Sequence, residues 1–153
     1  MTSPPYLDEH AVVIAADVDD VWRALLETLD RNFSRALSAR YAWAIRCADH
    51  AAAGPRPLTE GSTIPGFRVA TAIPGSELVL AGKHYFSDYE LIFRLAAINP
   101  GQSRLVAESW AAFPGLPGRA YRLLVVGTGG HVVAVRRLLS AIATRAEMPP
   151  AKG

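Results

Sequence analysis

Apolar and polar positions alternate, then switch to a helical step, then alternate again along this chain. Residues Tyr6 to Ile14 are partly alternating and β-branched near their end, which predicts a strand. Val18, Val21, Trp22, Leu25, Leu26 and Leu29 then recur at helical spacing. Asp17 stands at the N-cap position and Asp20 three residues on, a capping-box pattern that favours the positive end of the helix dipole over a magnesium site for Asp17, Asp19 and Asp20. A shorter helix is expected from Arg31 to Ala39, with Phe33, Ala36 and Leu37 inward, and a strand from Tyr41 through Trp43 and Ile45 to about Cys47. Residues 51–57 (AAAGPRP) read as a loop.

From Ser62 to Phe113 the pattern predicts an antiparallel meander of four strands. Parity assigns its faces, because a strand alternates sides and a hairpin fixes which residues share one. Phe67, Val69, Thr71 and Ile73 fall on one face with Leu78, Leu80, Gly82, His84 and Phe86. A tight turn at Ser87 and Asp88 then continues that face through Tyr89, Leu91, Phe93, Leu95 and Ala97, and after a loop from Asn99 to Ser103 through Leu105, Ala107, Ser109, Ala111 and Phe113. Arg68, Lys83, Glu90, Arg94, Arg104 and Glu108 take the opposite, solvent side.

The last third, Pro117 to Glu147, carries Tyr121, Val125, Thr128, Val132, Val135, Leu139 and Ile142 in one helical phase. A single helix about 45 Å long is expected, with Gly127, Gly129 and Gly130 a weak spot costing roughly 1 kcal/mol each relative to alanine. Such a hinge would let half of the helix lift to admit a ligand. Laid across a curved sheet, the helix encloses a space that either fills with side chains or takes a ligand. The order of elements gives one α+β domain over residues 1–153.

Composition narrows the function classes. The chain has 153 residues, half of them apolar, enough for one buried core. The lone Cys47 forms no internal disulfide and suggests a reducing, cytoplasmic setting; no secretory signal or membrane-spanning segment is visible. The formal charge of +2 hides an asymmetry: residues 1–60 hold nine acids against six bases, and residues 61–153 five against ten. The bases are mostly scattered arginines, which reads as solvated surface rather than a nucleic-acid stripe.

The segment VIAADVDDVWRAL from Val13 to Leu25 and the segment LTEGS from Leu58 to Ser62 resemble the helix-grip superfamily, also called START-like or SRPBCC, which includes polyketide cyclases and lipid-transfer domains. The C-terminal stretch 111–139 is similar to an uncharacterised bacterial branch of it. Ala16 stands where the family often has proline, and six strands are counted where seven are common. The resemblance implies a curved sheet gripping the C-terminal helix, two short helices after the first strand, and an internal cavity for sterols, lipids, polyketides or similar apolar compounds.

Within the inward face the polar residues are Thr71, His84, Tyr89 and Ser109, and polar groups in an apolar enclosure need partners. His84 titrates near neutrality and, with Tyr89, is the candidate acid/base pair; its alternative is a neutral core histidine. Phe67, Phe86, Tyr89, Phe93 and Phe113 are expected as cavity walls, with Arg119 and Tyr121 closing one end and binding an acidic group. A Ser109–His84 dyad is disfavoured, because the expected registers put one strand between them, roughly 10 Å. No GxSxG elbow occurs, and His10, His50, His84 and His131 lack metal-ligand spacing, so neither metal nor cofactor is expected. The Gly127 to Gly130 run lacks the Lys-Ser/Thr ending of a phosphate loop. Three functions follow: a carrier of an apolar small molecule or lipid, a polyketide cyclase or dehydratase using His84, or an interaction module with a filled core that docks through Arg122, Arg136 and Arg137, homo-oligomers included.

Overall fold

The computed structural model describes residues 4–33, 48–49, 51–125 and 129–148. The chain runs β1 (Tyr6–Ile14), α1 (Val18–Phe33), β2 (Thr63–Ile64), β3 (Phe67–Ile73), β4 (Glu77–His84), β5 (Ser87–Asn99), β6 (Gln102–Ala112), α2 (Gly115–Val125) and α3 (Gly130–Glu147). The strands form one antiparallel sheet in the order β1-β6-β5-β4-β3-β2, so the first strand returns to pair with the last. Of the shorter helix expected from Arg31 to Ala39, the first three residues extend α1; the remainder, and the strand expected from Tyr41 to Cys47, lie outside the described residues. Among the described residues the sheet's sixth strand is the two-residue β2.

Alternation dictates the packing. Leu78 and Leu80 of β4, Leu91, Phe93 and Leu95 of β5, and Leu105 and Ala107 of β6 are buried on one face of the sheet. Val21, Ala24, Leu25, Leu26 and Leu29 of α1 join the same core, as do Val135, Leu138, Leu139 and Ile142 of α3. Each fully buried Leu or Val contributes roughly 1.5–3 kcal/mol, so this face specifies the register. The outer face is charged: Arg94 donates to Glu108 at 2.9 Å and also pairs with Glu77, two neighbours across the sheet.

Three expectations are corrected. The C-terminal segment is two helices. Gly129 adopts φ 76°, in the left-handed region, and a residue there ends a right-handed helix; the regular phase of the apolar residues does not register such a break. Second, the β4–β5 turn is Tyr85 and Phe86, with His84 opposite Ser87, so the turn is displaced by two residues and the pairing by four while the faces are kept. Third, the Asp17 carboxylate accepts the Gly101 amide at 2.7 Å, tying the β5–β6 hairpin to the start of α1 instead of closing a capping box.

α3 lies against α1 and β1 rather than across β3 and β4. Its far end is fixed by the Ala15 amide donating to Glu147 Oε1 at 3.0 Å and by Arg145 beside Glu27. α2, by contrast, reaches the other end of the sheet, over the β4–β5 turn.

Candidate functional site

Two glycines bring three elements together around His84. Gly82 faces Tyr89 across β4 and β5, and a Cβ there would fall inside 3.0 Å of the Tyr89 ring and the Gly66 carbonyl. Without it the Tyr89 ring lies over the Gly82 backbone, and its hydroxyl donates to the Gly66 carbonyl oxygen in the β2–β3 turn. Gly118 brings α2 down similarly, since a Cβ would be 2.6 Å from the Phe113 carbonyl carbon and 3.0 Å from the Phe86 carbonyl oxygen. One turn later Tyr121 is set between the strand ends.

The result is a continuous aromatic array. The His84 ring is 5.0 Å from Tyr121, 5.2 Å from Tyr89 and 6.0 Å from Phe86. Tyr121 stacks on Phe86 at 5.1 Å with planes 3° apart and lies 6.4 Å from Phe113. Phe67 extends the array edge-on between Tyr89, at 5.1 Å, and Phe33, at 5.5 Å. These rings contact one another as well as the interior they surround.

His84 is 8% exposed. Its Nδ1 accepts the Phe86 amide at 3.0 Å, so the neutral ring carries its proton on Nε2. Burial pushes the imidazole below its usual range, with nearby Asp88 pulling weakly the other way. Neutral His84 therefore offers a hydrogen-bond donor among aromatic faces, and its Nδ1 is already occupied. That suits holding or polarising a carbonyl oxygen better than taking a proton.

The remaining candidates divide. Ser109 is 4% exposed, with an Oγ that has no hydrogen-bond partner among the described residues; Thr28 Oγ1 on α1 is in the same condition. Ser109 sits opposite Leu91 on β6 and His84 opposite Ser87 on β4, so the two are separated by β5 and make no dyad. Phe93 belongs to the closed core, with no exposed surface. Thr71 leaves the site: an irregularity at Ala70 reverses the parity of β3, so Thr71 pairs with Val79 and takes the outer face while Ala72 turns inward. Arg119 also leaves it. It is exposed on α2, two residues and therefore about 200° from the inward Tyr121, while Arg122 lies over Phe113 at 5.8 Å.

A second polar group occupies the same side of the sheet. Asp8 on β1 takes His10 Nε2 on one carboxylate oxygen and His131 Nε2 of α3 on the other, each at 3.2 Å. Asp8 is the cross-strand neighbour of Ser109. Metal spacing was the wrong test for these histidines. The usable signal was parity, since Asp8 and His10 share the face of buried Ile14. An open depression of about 520 Å³ lies at the opposite end of β5 from His84, lined by Asp17, Val18, Asp19 and residues 97–100. It collects none of these groups.

This arrangement, an antiparallel sheet with α1 packed on one face, the C-terminal helix against α1 and β1, and α2 over the β4–β5 turn, recurs in solved structures. The chain has a helix-grip fold. CalU16 from Micromonospora echinospora matches with TM-score 0.56 and 16% identity, over 91% of this chain and 74% of that one. The ZhuI aromatase/cyclase from Streptomyces sp. R1128 matches with TM-score 0.58 and 16% identity, over 92% of each chain. Protein CV1439 from Chromobacterium violaceum matches with TM-score 0.58 and 13% identity, over 95% of this chain and 100% of that one. No protein-family model and no curated protein matches the sequence. At these identities the likeness establishes the helix-grip fold alone. Among the described residues no helix is long and apolar enough to cross a membrane.

Proposed function

We propose that this helix-grip protein binds a flat, largely apolar small molecule between the sheet and α2. The observation that carries the reading is His84: a buried imidazole, neutral by desolvation, with its tautomer fixed by the Phe86 amide and its ring held among Phe86, Tyr89 and Tyr121. Apolar walls with one or two placed polar groups are the general composition of small-molecule sites. Tyr121 is the movable part, because it alone of the rings touching His84 comes from α2, and α2 is followed by the left-handed Gly129. Entry requires Tyr121 to swing off His84 and Phe86. Native mass spectrometry of the protein purified from cells, followed by titration with a flat aromatic dye, tests this; a protein that carries nothing and takes up no dye refutes it.

A second reading, a cyclase or dehydratase acting on a carbonyl compound, is supported by the His84 Nε2–H, which can donate to a carbonyl oxygen, and by the shared fold of an aromatase/cyclase. His84→Gln would then abolish turnover while sparing binding. Docking through the outer side of the helices finds support in Leu116 and Leu123, 78% and 73% exposed on α2, and in the absence of any acid between Glu108 and Glu147. The first two readings share the His84 site and are separated by turnover in His84→Gln, whereas docking uses the outer side of α2 and is separable by substitution there.

A further inference from the structure

The Asp8, His10 and His131 group is built from three separate decisions of the sequence. Asp8 and His10 are two apart on β1 and so share its inward side, and His131 stands in the first turn of α3. One carboxylate orders both imidazoles, through Nε2 in each case. Asp8 also lies at the start of α3, where the helix dipole favours an anion. Side-chain exposures of 17% for His10, 26% for Asp8 and 21% for His131 leave the group shielded yet reachable.

Fixing Nε2–H against a carboxylate leaves Nδ1 of each neutral ring as the lone-pair nitrogen. Neither Nδ1 has a hydrogen-bond partner among the described residues. A carboxylate that holds an imidazole in one tautomer and stabilises the imidazolium formed from it is the logic of a general base. Beside it, one strand over, the Ser109 hydroxyl is buried and has no partner among the described residues, a cost that a bound acceptor or donor relieves. A salt bridge tying an edge strand to a helix needs neither the second histidine nor the unpartnered serine.

We propose that this group is a proton-transfer site for carbonyl compounds with an acidic C–H, resting on the reading that a flat ligand enters between the sheet and α2. Nδ1 of His10 or His131 takes the proton from the carbon next to the carbonyl. The C–H electron pair forms the C=C bond of the enolate, and the carbonyl oxygen becomes an oxyanion that accepts the Ser109 O–H. Asp8 is a positioning residue that stabilises the imidazolium, and the reverse step returns a solvent-derived proton. His84 stands farther off: its row on the sheet is four residue pairs, about 13 Å, from that of Ser109, so a ligand that reaches both spans at least that length.

The test uses the whole protein and 2-tetralone, a flat aromatic ketone, in D2O, with α-deuteration followed by NMR and binding by ligand line broadening. The expected result is exchange accelerated about 100-fold or more over an equal concentration of free imidazole. Asp8→Asn lowers the rate at least about tenfold with binding and melting temperature kept. His10→Ala or His131→Ala loses rate that added imidazole restores, a rescue no structural role produces. The exposed Val13→Thr, on the outer face of β1, serves as a control with unchanged rate. Tetralone that binds but exchanges at the buffer rate overturns the proton-transfer site and spares the ligand reading. Full rate in Asp8→Asn also overturns the site, and failure to bind tetralone overturns both.

Discussion

Gly82→Ala isolates the contact on which the His84 environment depends. The new Cβ would overlap the Tyr89 ring and the Gly66 carbonyl oxygen, and the latter is backbone and cannot swing aside. Relief therefore requires the β2–β3 turn to draw back and Tyr89 to leave Gly82, which loses its hydrogen bond to Gly66, worth about 0.5–1.5 kcal/mol, and its edge contacts with Phe67, worth about as much again. Adding the usual overpacking cost of about 1–3 kcal/mol gives a destabilisation of about 2–6 kcal/mol. At about 2–4 °C per kcal/mol for a chain of this size, the melting temperature falls by roughly 4–24 °C. Urea unfolding of Gly82→Ala, Tyr89→Ala and the double variant completes a cycle, and the clash predicts a coupling of about 1–2 kcal/mol, because the alanine costs less once the ring is gone. A Gly82→Ala protein within about 0.5 kcal/mol of the parent, or an additive cycle, would show that Tyr89 does not rest on Gly82 and that the aromatic array is arranged otherwise.

Because burial lowers the His84 proton affinity in the folded state, the unfolded chain binds the extra proton more readily, so stability falls as pH drops through the histidine range; thermal melts from pH 8 to pH 5 should show a loss that is smaller in His84→Gln. Gly129→Ala forces an L-residue into the left-handed region and should cost about 1–2 kcal/mol by urea unfolding, whereas a continuous helix through residue 129 would make the same change stabilising. Tyr121→Ala should speed dye association at the His84 site, read by stopped-flow fluorescence, and an unchanged rate would remove Tyr121 as the gate. If the outer side of α2 docks a partner, Leu116→Ser with Leu123→Ser should abolish binding in a pull-down while changing stability by less than about 0.5 kcal/mol.

The sheet was legible because each strand carries its own parity signal and burial reinforces it. Leu78, Leu80, Leu91, Phe93, Leu105 and Ala107 all lie where alternation puts them. Moving the β4–β5 turn by two residues left every one in place, since an even shift preserves the face. What alternation cannot carry is an odd insertion. The irregularity at Ala70 is one residue long, and it exchanged Thr71 for Ala72 on the inner face with no change in composition to announce it. The helix break failed for a related reason. Three glycines are compatible with a helical phase on both sides, and only the backbone angle of Gly129 decides whether the phase is continuous.

The site divides along the same line between local and long-range information. His84, Phe86 and Tyr89 belong to one hairpin, so their convergence follows from strand parity, and Tyr121 joins them from the helix that Gly118 lets approach. The Asp8 group needs residues 123 positions apart to meet, which no periodicity reports. Yet its geometry links the two halves of the proposed activity. α2 carries Tyr121 over His84, and α3, whose N-cap is the left-handed Gly129, carries His131 to Asp8. A movement that lifts Tyr121 to admit a ligand pivots close to the histidine held by Asp8. His131 is therefore the residue at which ligand entry and proton transfer would be coupled, and Asp8→Asn should change the dye association rate as well as the exchange rate if the pivot is real. A variant that alters exchange with no effect on association would place the pivot on the α2 side of Gly129, leaving the Asp8 clasp closed throughout the binding cycle.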